Sequence, residues 1–323
     1  MRFAVLGAGA IGGFVGATLA RAGADVTLIA RGAHLQAMAA AGVQVQSPRG
    51  GFVSHPAVTD DLSAVAVADV VFVGLKGYSL PAIAPAIGPL LAPTAVCVFA
   101  QNGIPWWYFH GLEGPLAGRV VESVDPGGGV TAAIGAGRAV GCVLYCATEI
   151  VAPGVIRHTE GTRFSIGTPS GDPDERCDAI SAAFKAAGLK SPVERDLRPQ
   201  IWLKLIGNAA FNPITTLARA TLGELRGSEH ALALTRSVME ECAAVAAALG
   251  VEIPLSIDRR LEGALAVGDH RTSMLQDFEA GKPLESDCMT GAVVEIADAL
   301  AVAVPSTRVL HGLIKAVEEL RDV

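Results

Sequence analysis

The glycine-rich segment after the first apolar run constrains the fold more than any other feature of this chain. Residues 2–6 have β-strand character, and Gly7-Ala8-Gly9-Ala10-Ile11-Gly12 follows them at once. Residues 14–22 then predict a helix that ends at Gly23, and residues 25–29 predict a second strand. A strand, a glycine turn, a helix and a strand within about 30 residues form the context in which this glycine pattern binds a dinucleotide.

Each glycine of the turn has a physical reason to be there. Gly7 permits the tight turn, and Gly9 lets the backbone approach a pyrophosphate at the N-terminus of the helix. Gly12 allows the helix to pack closely on the strand. We therefore predict cofactor binding by this segment, including Ala8, Ala10 and Ile11. The alternative is a glycine-rich turn that binds nothing.

The end of the second strand indicates which dinucleotide would bind. An Asp or Glu there would accept hydrogen bonds from the ribose hydroxyls of NAD. The strand instead runs Leu28-Ile29-Ala30-Arg31-Gly32, without an acid. Because a guanidinium pairs well with a phosphate, Arg31 predicts binding of the 2′-phosphate of NADP. The alternative for Arg31 is a solvated loop arginine.

Two further apolar runs predict parallel strands. The run at residues 69–75 is followed by Lys76, and the run at residues 95–100 is followed by Gln101-Asn102-Gly103. Ligands of open α/β sheets bind beyond the carboxyl ends of the strands, so Lys76 and Asn102 are expected at the binding edge. A surface lysine and an ordinary Asn-Gly turn are the alternatives.

The predicted secondary structure of the chain changes near residue 197. Before it, residues 139–148, 155–159 and 192–196 predict strands, and residues 174–187 predict a helix. After it, Ala-, Leu- and Glu-rich runs predict helices at 201–218, 229–249, 255–265, 291–300 and 305–320. The predicted fold class is α/β, with a Rossmann-type NADP-binding domain at 1–196 and an all-α substrate and catalytic domain at 197–323.

A polar stripe runs along the first helix of the second half. Lys204, Asn208 and Asn212 are spaced by four residues, so they drift by only about 40° per step and share one face. Their neighbours are mostly apolar, and buried polar groups need partners, of which a polar substrate is one. Pro213 should kink this helix. Three polar residues on an exposed face are the alternative.

Composition narrows the function classes. Net charge is −7, with 51% apolar and 18% charged residues, which excludes intrinsic disorder and argues against nucleic acid or an anionic membrane as partner. No stretch of about 20 residues is free of charges and turn formers, so no membrane span is expected. The six scattered cysteines match no metal or redox motif, which predicts no metal site and a reducing, cytoplasmic location. The oligomeric state is open, with a homodimer among the alternatives.

Taken together, these motifs resemble the ketopantoate reductase family, and the similarity covers essentially the whole chain. The most specific part is the Lys/Asn/Asn-Pro stripe with the Ser-Met-Leu-Gln-Asp segment that follows it. The matching segments are 7–12, Leu75-Lys76, Asn102-Gly103, 204–213, Gly223-Glu224-Leu225, 273–277 and Glu285-Ser286-Asp287.

The resemblance implies a two-domain NADPH enzyme that reduces the ketone of 2-dehydropantoate to pantoate, on the route to pantothenate. In the helical half it implies that Lys204 is the general acid. It also implies that Asn208, Asn212 and Ser273 bind the substrate, a small 2-keto acid. The alternatives are a reductase of another 2-keto acid and a non-catalytic NADP-binding module.

The same resemblance assigns three residues around the cofactor. Glu285 matches a catalytic carboxylate at the cofactor–substrate junction, Asn102 a residue on the nicotinamide side that also contacts substrate, and Lys76 a residue near the adenosine phosphate. The two halves of the chain are expected to face one cleft. The sequence departs from the family at Leu222, where members often have Asn, and at the bulky stretch 104–108. Both departures bear on which keto acid is reduced.

Overall fold

The computed structural model describes residues 1–321, and the chain separates into two compact units. The sheet unit comprises Met1–Gln101, Trp107–Arg119 and Gly128–Leu197. The helical unit comprises Asn102–Trp106, Val120–Gly127 and the described residues from Arg198 onward. Two short segments from the first half of the chain therefore belong to the helical unit. The boundary after residue 196 stays a prediction.

A nine-stranded sheet organises the sheet unit, in the order β4-β3-β9-β8-β7-β6-β1-β2-β5. Strands β5, β2, β1, β6, β7 and β8 pair in parallel, whereas β8 and β9 form a long antiparallel hairpin. The strands are β1 Arg2–Leu6, β2 Asp25–Ile29, β3 Val43–Gln46, β4 Phe52–Ser54, β5 Ala57–Thr59, β6 Ala68–Val73, β7 Leu91–Phe99, β8 Ala139–Ala152 and β9 Val155–Gly167.

The central strands are continuous apolar runs because both faces of the sheet are covered. In β1, Phe3, Ala4, Val5 and Leu6 are all buried. The helices of this unit are α1 Ala10–Arg21, α2 Gly32–Ala41, α3 Leu80–Ile83, α4 Gly129–Ile134 and α5 Glu175–Ala186. Short 3₁₀ turns lie at Leu62–Ala64, Gly77–Ser79, Ala84–Ala86, Gly88–Leu90 and Ala136–Arg138.

One predicted strand is wrong. Residues 192–196 form no strand, and only single bridges join Val193 to Ile166 and Lys190 to Arg163. Pro192 has no backbone N–H to continue a ladder, although its carbonyl accepts from Ile166. The helix predicted from residue 14 begins earlier, at Ala10, directly after the glycine turn.

The helical unit contains seven α-helices among the residues described. They are α6 Arg198–Ala218, α7 Leu222–Leu225, α8 Glu229–Ala248, α9 Ile257–Leu265, α10 Ser273–Glu279, α11 Ala292–Leu300 and α12 Pro305–Arg321. A π-helical turn at Asp287–Gly291 leads into α11, and a 3₁₀ turn lies at Pro126–Gly128. Pro213 lies inside α6, which continues through it.

The predicted fold class is confirmed, with a Rossmann-type sheet unit and an all-α second unit. Within residues 1–321, no helix has the length and apolar character that a bilayer crossing requires.

Candidate functional site

The glycine turn joins the end of β1 to the start of α1. Gly7 has φ +88°, and the N–H groups of Gly7 and Ala8 both donate to the Ile29 carbonyl at the end of β2. A Cβ on Gly12 would collide with the carbonyl oxygen of Gly7, so α1 packs against the turn in a way that only glycine permits. The predicted role of Gly12 in close packing agrees with this geometry.

The turn also presents the features that a pyrophosphate needs. A Cβ on Gly9 would have no atom within 4 Å, so this position is open. No side chain caps the N-terminus of α1, and the first N–H groups of a helix have no partner within the helix. Open backbone donors at the positive end of a helix dipole suit an anion. The residues present therefore fit a dinucleotide phosphate.

Sequence reasoning missed a further glycine at this edge, Gly74. It follows β6, and its N–H donates to the Leu6 carbonyl. A Cβ there would lie 3.0 Å from the Gly7 oxygen and 3.1 Å from the Gly12 Cα. The available signal was an isolated glycine at the end of an apolar strand, which marks close backbone approach.

Arg31 and Lys76 follow the carboxyl ends of β2 and β6. Arg31 is exposed and extended, one residue before α2. Among residues 1–321 no group forms a hydrogen bond or ion pair with the Arg31 side chain. Lys76 is partly buried and precedes the Gly77–Ser79 turn. Their phosphate contacts stay predictions.

His34 is a second residue that the sequence analysis did not single out. It lies on α2, and its Nδ1 accepts a hydrogen bond of 2.9 Å from the backbone N–H of Gly154, at the tip of the β8–β9 hairpin. Its Nε2 is buried and has no hydrogen-bond partner among the described residues. Burial lowers the pKa of His34 by more than the nearby Ala8 backbone raises it. The imidazole is therefore neutral at neutral pH.

This shift predicts a pH-dependent stability. Because the folded-state pKa lies below the unfolded value of about 6.5, the unfolded chain takes up this proton first as the pH falls. The contribution of neutral His34 to the free energy of unfolding is complete above that pH and is lost as the pH falls below it. Urea denaturation at pH about 7.5 and 5.5 should show a smaller loss of unfolding free energy in His34→Gln than in wild type. His230→Gln, at an exposed position of α8, is the control, and equal losses in all three proteins would contradict the assignment.

In the helical unit, two of the three residues of the polar stripe, Lys204 and Asn208, lie on the accessible face of α6. Between residues 201 and 216, only Leu203, Lys204 and Asn208 are partly exposed, and all other positions are buried. Asn212 is buried, and its Nδ2 donates to the Met289 sulfur at 3.6 Å. The alternative of three polar residues on an exposed face is therefore wrong for Asn212.

A glycine and an arginine border this stripe. The Nε of Arg260 on α9 donates to the Leu203 carbonyl at 3.4 Å. A Cβ on Gly207 would overlap the Arg260 guanidinium, so the absence of a side chain at Gly207 lets the arginine lie against α6. Neither residue was predicted, and the available signal was a lone glycine inside an apolar helix.

The π-helical turn brings Asn102 to Glu285. Glu285 is 5% exposed and precedes the turn, and its Oε2 accepts from Asn102 Nδ2 at 3.4 Å. The backbone N–H of Ile104 donates to the Cys288 carbonyl at 2.8 Å. Gly103 has φ +84°, and a Cβ there would collide with that carbonyl. The Asn102-Gly103 motif therefore packs directly against the π-turn within the helical unit.

Ser273 stands at the start of α10, exposed to solvent. The preceding Thr272 caps the helix, because its Oγ1 accepts from the Leu275 N–H at 3.3 Å. The same hydroxyl lies 2.7 Å from Thr215 Oγ1 on α6. This bond fixes the α10 N-terminus, and with it Ser273, against the helix that carries Lys204.

Comparison with known proteins identifies the family. The family model for ketopantoate reductase PanE/ApbA matches residues 3–171, and the model for its C-terminal domain matches residues 196–318. The 2-dehydropantoate 2-reductase of Mesorhizobium japonicum is 42% identical over 98% of this chain and 97% of its own length. The chain belongs to the ketopantoate reductase family.

Solved structures of the family agree with the fold. A PanE/ApbA family ketopantoate reductase from Ralstonia eutropha matches with a TM-score of 0.86, 32% identity and complete coverage of both chains. The 2-dehydropantoate 2-reductase of Geobacter metallireducens gives 0.86 at 26% identity and covers 98% of this chain and 100% of its own. The resemblance predicted from the motifs is confirmed.

Leu222 is one of the two places where the sequence is expected to depart from the family pattern. It is the first residue of α7, is 7% exposed, and lies within the capping box that Thr221 and Glu224 form. Its N–H donates to the His270 carbonyl at 3.0 Å. A buried leucine offers no polar group at this position.

The aromatic stretch of this family member is buried. Trp106, Trp107 and Tyr108 are 3%, 3% and 0% exposed. Trp107 packs against β8 so closely that a Cβ on Gly141 would collide with its ring. The contacts of Trp107 are therefore packing contacts within the sheet unit.

Proposed function

We propose that this ketopantoate reductase family member catalyses NADPH-dependent reduction of 2-dehydropantoate to pantoate, a step on the route to pantothenate. The observation that carries the proposal is the accessible face of α6, where Lys204 and Asn208 are partly exposed within a stretch, residues 201–216, that is buried at every other position except Leu203. An ammonium and an amide at such a position suit a small anionic keto acid.

Lys204 is the proposed general acid. When bound, NADPH supplies the hydride for the ketone carbon. Negative charge then grows on the ketone oxygen, and the Lys204 ammonium stabilises this charge and donates a proton to the oxygen. The product is a secondary alcohol, and the lysine regains its proton from solvent. Glu285 is the proposed catalytic carboxylate, in the orientation that its bond to Asn102 gives it.

The substrate would be held by neutral groups. Asn208 is partly exposed one turn after Lys204, and Ser273 is exposed at the start of α10. An amide and a hydroxyl orient a carboxylate or hydroxyl without adding charge. Asn212 is buried and bonded to Met289, so its part would be to shape the end of the stripe.

The cofactor would be held by the sheet unit and by Asn102. We propose that residues Gly7 to Gly12 bind the pyrophosphate, because the turn is open at Gly9 and has uncapped helix donors. Arg31 and Lys76 would bind the adenosine phosphate. Asn102 and Glu285 would approach the nicotinamide side.

Turnover assays test the proposal directly. NADPH oxidation is followed with 2-dehydropantoate, pyruvate, 2-ketoisovalerate and phenylglyoxylate, each with NADH in parallel. The expected result is the highest kcat/KM for 2-dehydropantoate with NADPH. Retention of NADPH with no turnover on any keto acid would instead indicate a non-catalytic NADP-binding module.

A second candidate is reduction of a different 2-keto acid by the same chemistry. The buried Leu222 favours it, because the site loses one amide that could hold a hydroxyl of the substrate. Higher kcat/KM for a keto acid without that hydroxyl, such as 2-ketoisovalerate, would support this candidate over 2-dehydropantoate. Leu222→Asn should then move the preference toward 2-dehydropantoate.

A cytoplasmic location is part of the proposal. All six cysteines lie within the described residues, none of them is in a disulfide and five are buried, as a reducing compartment permits. Light scattering of the purified chain would measure whether it is a homodimer.

A further inference from the structure

The π-turn at Asp287–Gly291 is held in place by one face of α12. π-helical turns are rare and often accompany functional sites. His311, Lys315 and Glu318 are spaced by four and three residues, so they share a face of α12. Each of them bonds to the segment 284–290, which contains Glu285.

Glu318 makes the most direct attachment. Its Oε1 accepts from the Leu284 N–H at 2.9 Å, and its Oε2 accepts from the Ser286 hydroxyl at 3.0 Å. These two donors belong to the residues on either side of Glu285. The Glu318 side chain is 18% exposed, so both bonds are largely shielded from water.

Lys315 and His311 extend the attachment along the turn. Lys315 Nζ lies 3.1 Å from Asp287 Oδ2 and 3.4 Å from Glu318 Oε2. Burial lowers the pKa of Lys315, but its bonds and charge interactions with Asp287 and Glu318 outweigh burial and raise it. His311 Nδ1 lies 2.9 Å from the Thr290 hydroxyl.

The widened turn has a local consequence. The N–H of Ala292 donates to the Asp287 carbonyl, five residues back, and the N–H of Gly291 donates to the Ser286 carbonyl at 3.1 Å. In a regular α-helix Ala292 would donate to Cys288. The π-turn leaves that carbonyl for Ile104, which brings Asn102 within 3.4 Å of Glu285.

We propose that Glu318 is a positioning residue, which clamps Leu284 and Ser286 and thereby fixes Glu285 and Asn102 for turnover. This inference rests on the proposed function, because it assigns the geometry of the same reductase site. Glu318 itself touches neither Asn102 nor the stripe on α6 among the bonds described.

The test compares Glu318→Gln with Glu319→Gln in the full chain. Glu319 is the next residue on α12 and is exposed, so its variant removes the same charge without touching the clamp. Glu318→Gln should lower kcat about tenfold, the factor that corresponds to losing one charge-assisted hydrogen bond. KM for the keto acid and the dissociation constant of NADPH should change little, and Glu319→Gln should behave as wild type.

Ser286→Ala is the second variant, because it removes only one of the two bonds and preserves the charge of Glu318. Its kcat should fall about threefold. Hydrogen exchange supplies a readout without catalysis, since the Leu284 amide should exchange faster in Glu318→Gln but not in Glu319→Gln.

Several outcomes would overturn the clamp. Normal kcat despite faster Leu284 exchange would show that order in this segment does not matter for turnover. A lower unfolding temperature with normal kcat would make Glu318 a structural brace only. If wild type reduces no keto acid, the proposed function fails, and Leu284 exchange equal in wild type and Glu318→Gln would then refute the clamp as well.

Discussion

Replacing Lys204 with alanine is expected to lower kcat by about 100- to 10,000-fold, the usual contribution of a general acid. The reason is that the ketone oxygen would lose both the charge that stabilises it and the proton donor. Lys204 is partly exposed on α6, so removing its side chain opens no cavity in the core. NADPH affinity should change little, because the glycine turn belongs to the sheet unit. Stopped-flow kinetics at saturating keto acid, with fluorescence titration of NADPH, measures both quantities.

Lys185→Ala is the matched control, because it makes the same chemical change at an exposed position of α5. It should keep wild-type kcat. If Lys204→Ala keeps near-normal kcat at saturating substrate, Lys204 has no part in proton transfer. If it loses NADPH affinity as well as kcat, its role lies in cofactor binding, and the assignment of the acid must move to another residue.

The features that the sequence predicts well are local ones. The path from β1 through the glycine turn to α1 and β2 follows from apolar runs and glycines within one short stretch. The stripe on α6 follows from helical periodicity alone, since Lys204 and Asn208 do occupy the accessible face. The start of α1 at Ala10 rather than Phe14 is not evident from the sequence, because Gly12 and Gly13 look like turn residues but allow close packing of the helix.

The site geometry could not be predicted because it depends on contacts between distant parts of the chain. The π-turn exists where the Cys288 carbonyl accepts from Ile104, and nothing within residues 287–291 signals that partner. The order of the parallel strands predicts that Asn102 lies at a sheet edge, whereas the segment Asn102–Trp106 belongs to the helical unit. Helical periodicity likewise does not predict the bonds of Glu318 to Leu284 and Ser286, since a glutamate on an amphipathic helix usually faces solvent.

Arg31→Ala is expected to weaken NADPH binding about ten- to a hundredfold, the range for one charge-assisted phosphate contact. Arg31 is exposed and directly follows β2 and Ala30, where an acidic residue would select NAD. Because NADH lacks the 2′-phosphate, its affinity should stay nearly unchanged. In the proposed site Lys76, which follows β6, also contacts the phosphate, so the single variant should retain part of the preference for NADPH. Isothermal titration of both cofactors with wild type and Arg31→Ala measures the difference.

The design separates a phosphate contact from a structural role. Arg259→Ala removes the same charge from an exposed position of α9, so it controls for the general field of the protein. A phosphate contact also makes NADPH affinity fall more steeply with added salt in wild type than in Arg31→Ala, because screening weakens an interaction that the variant lacks. Equal weakening of NADPH and NADH would mean that Arg31 supports the ribose or the start of α2, and the phosphate would then have to be assigned to Lys76 and the backbone donors after Gly9.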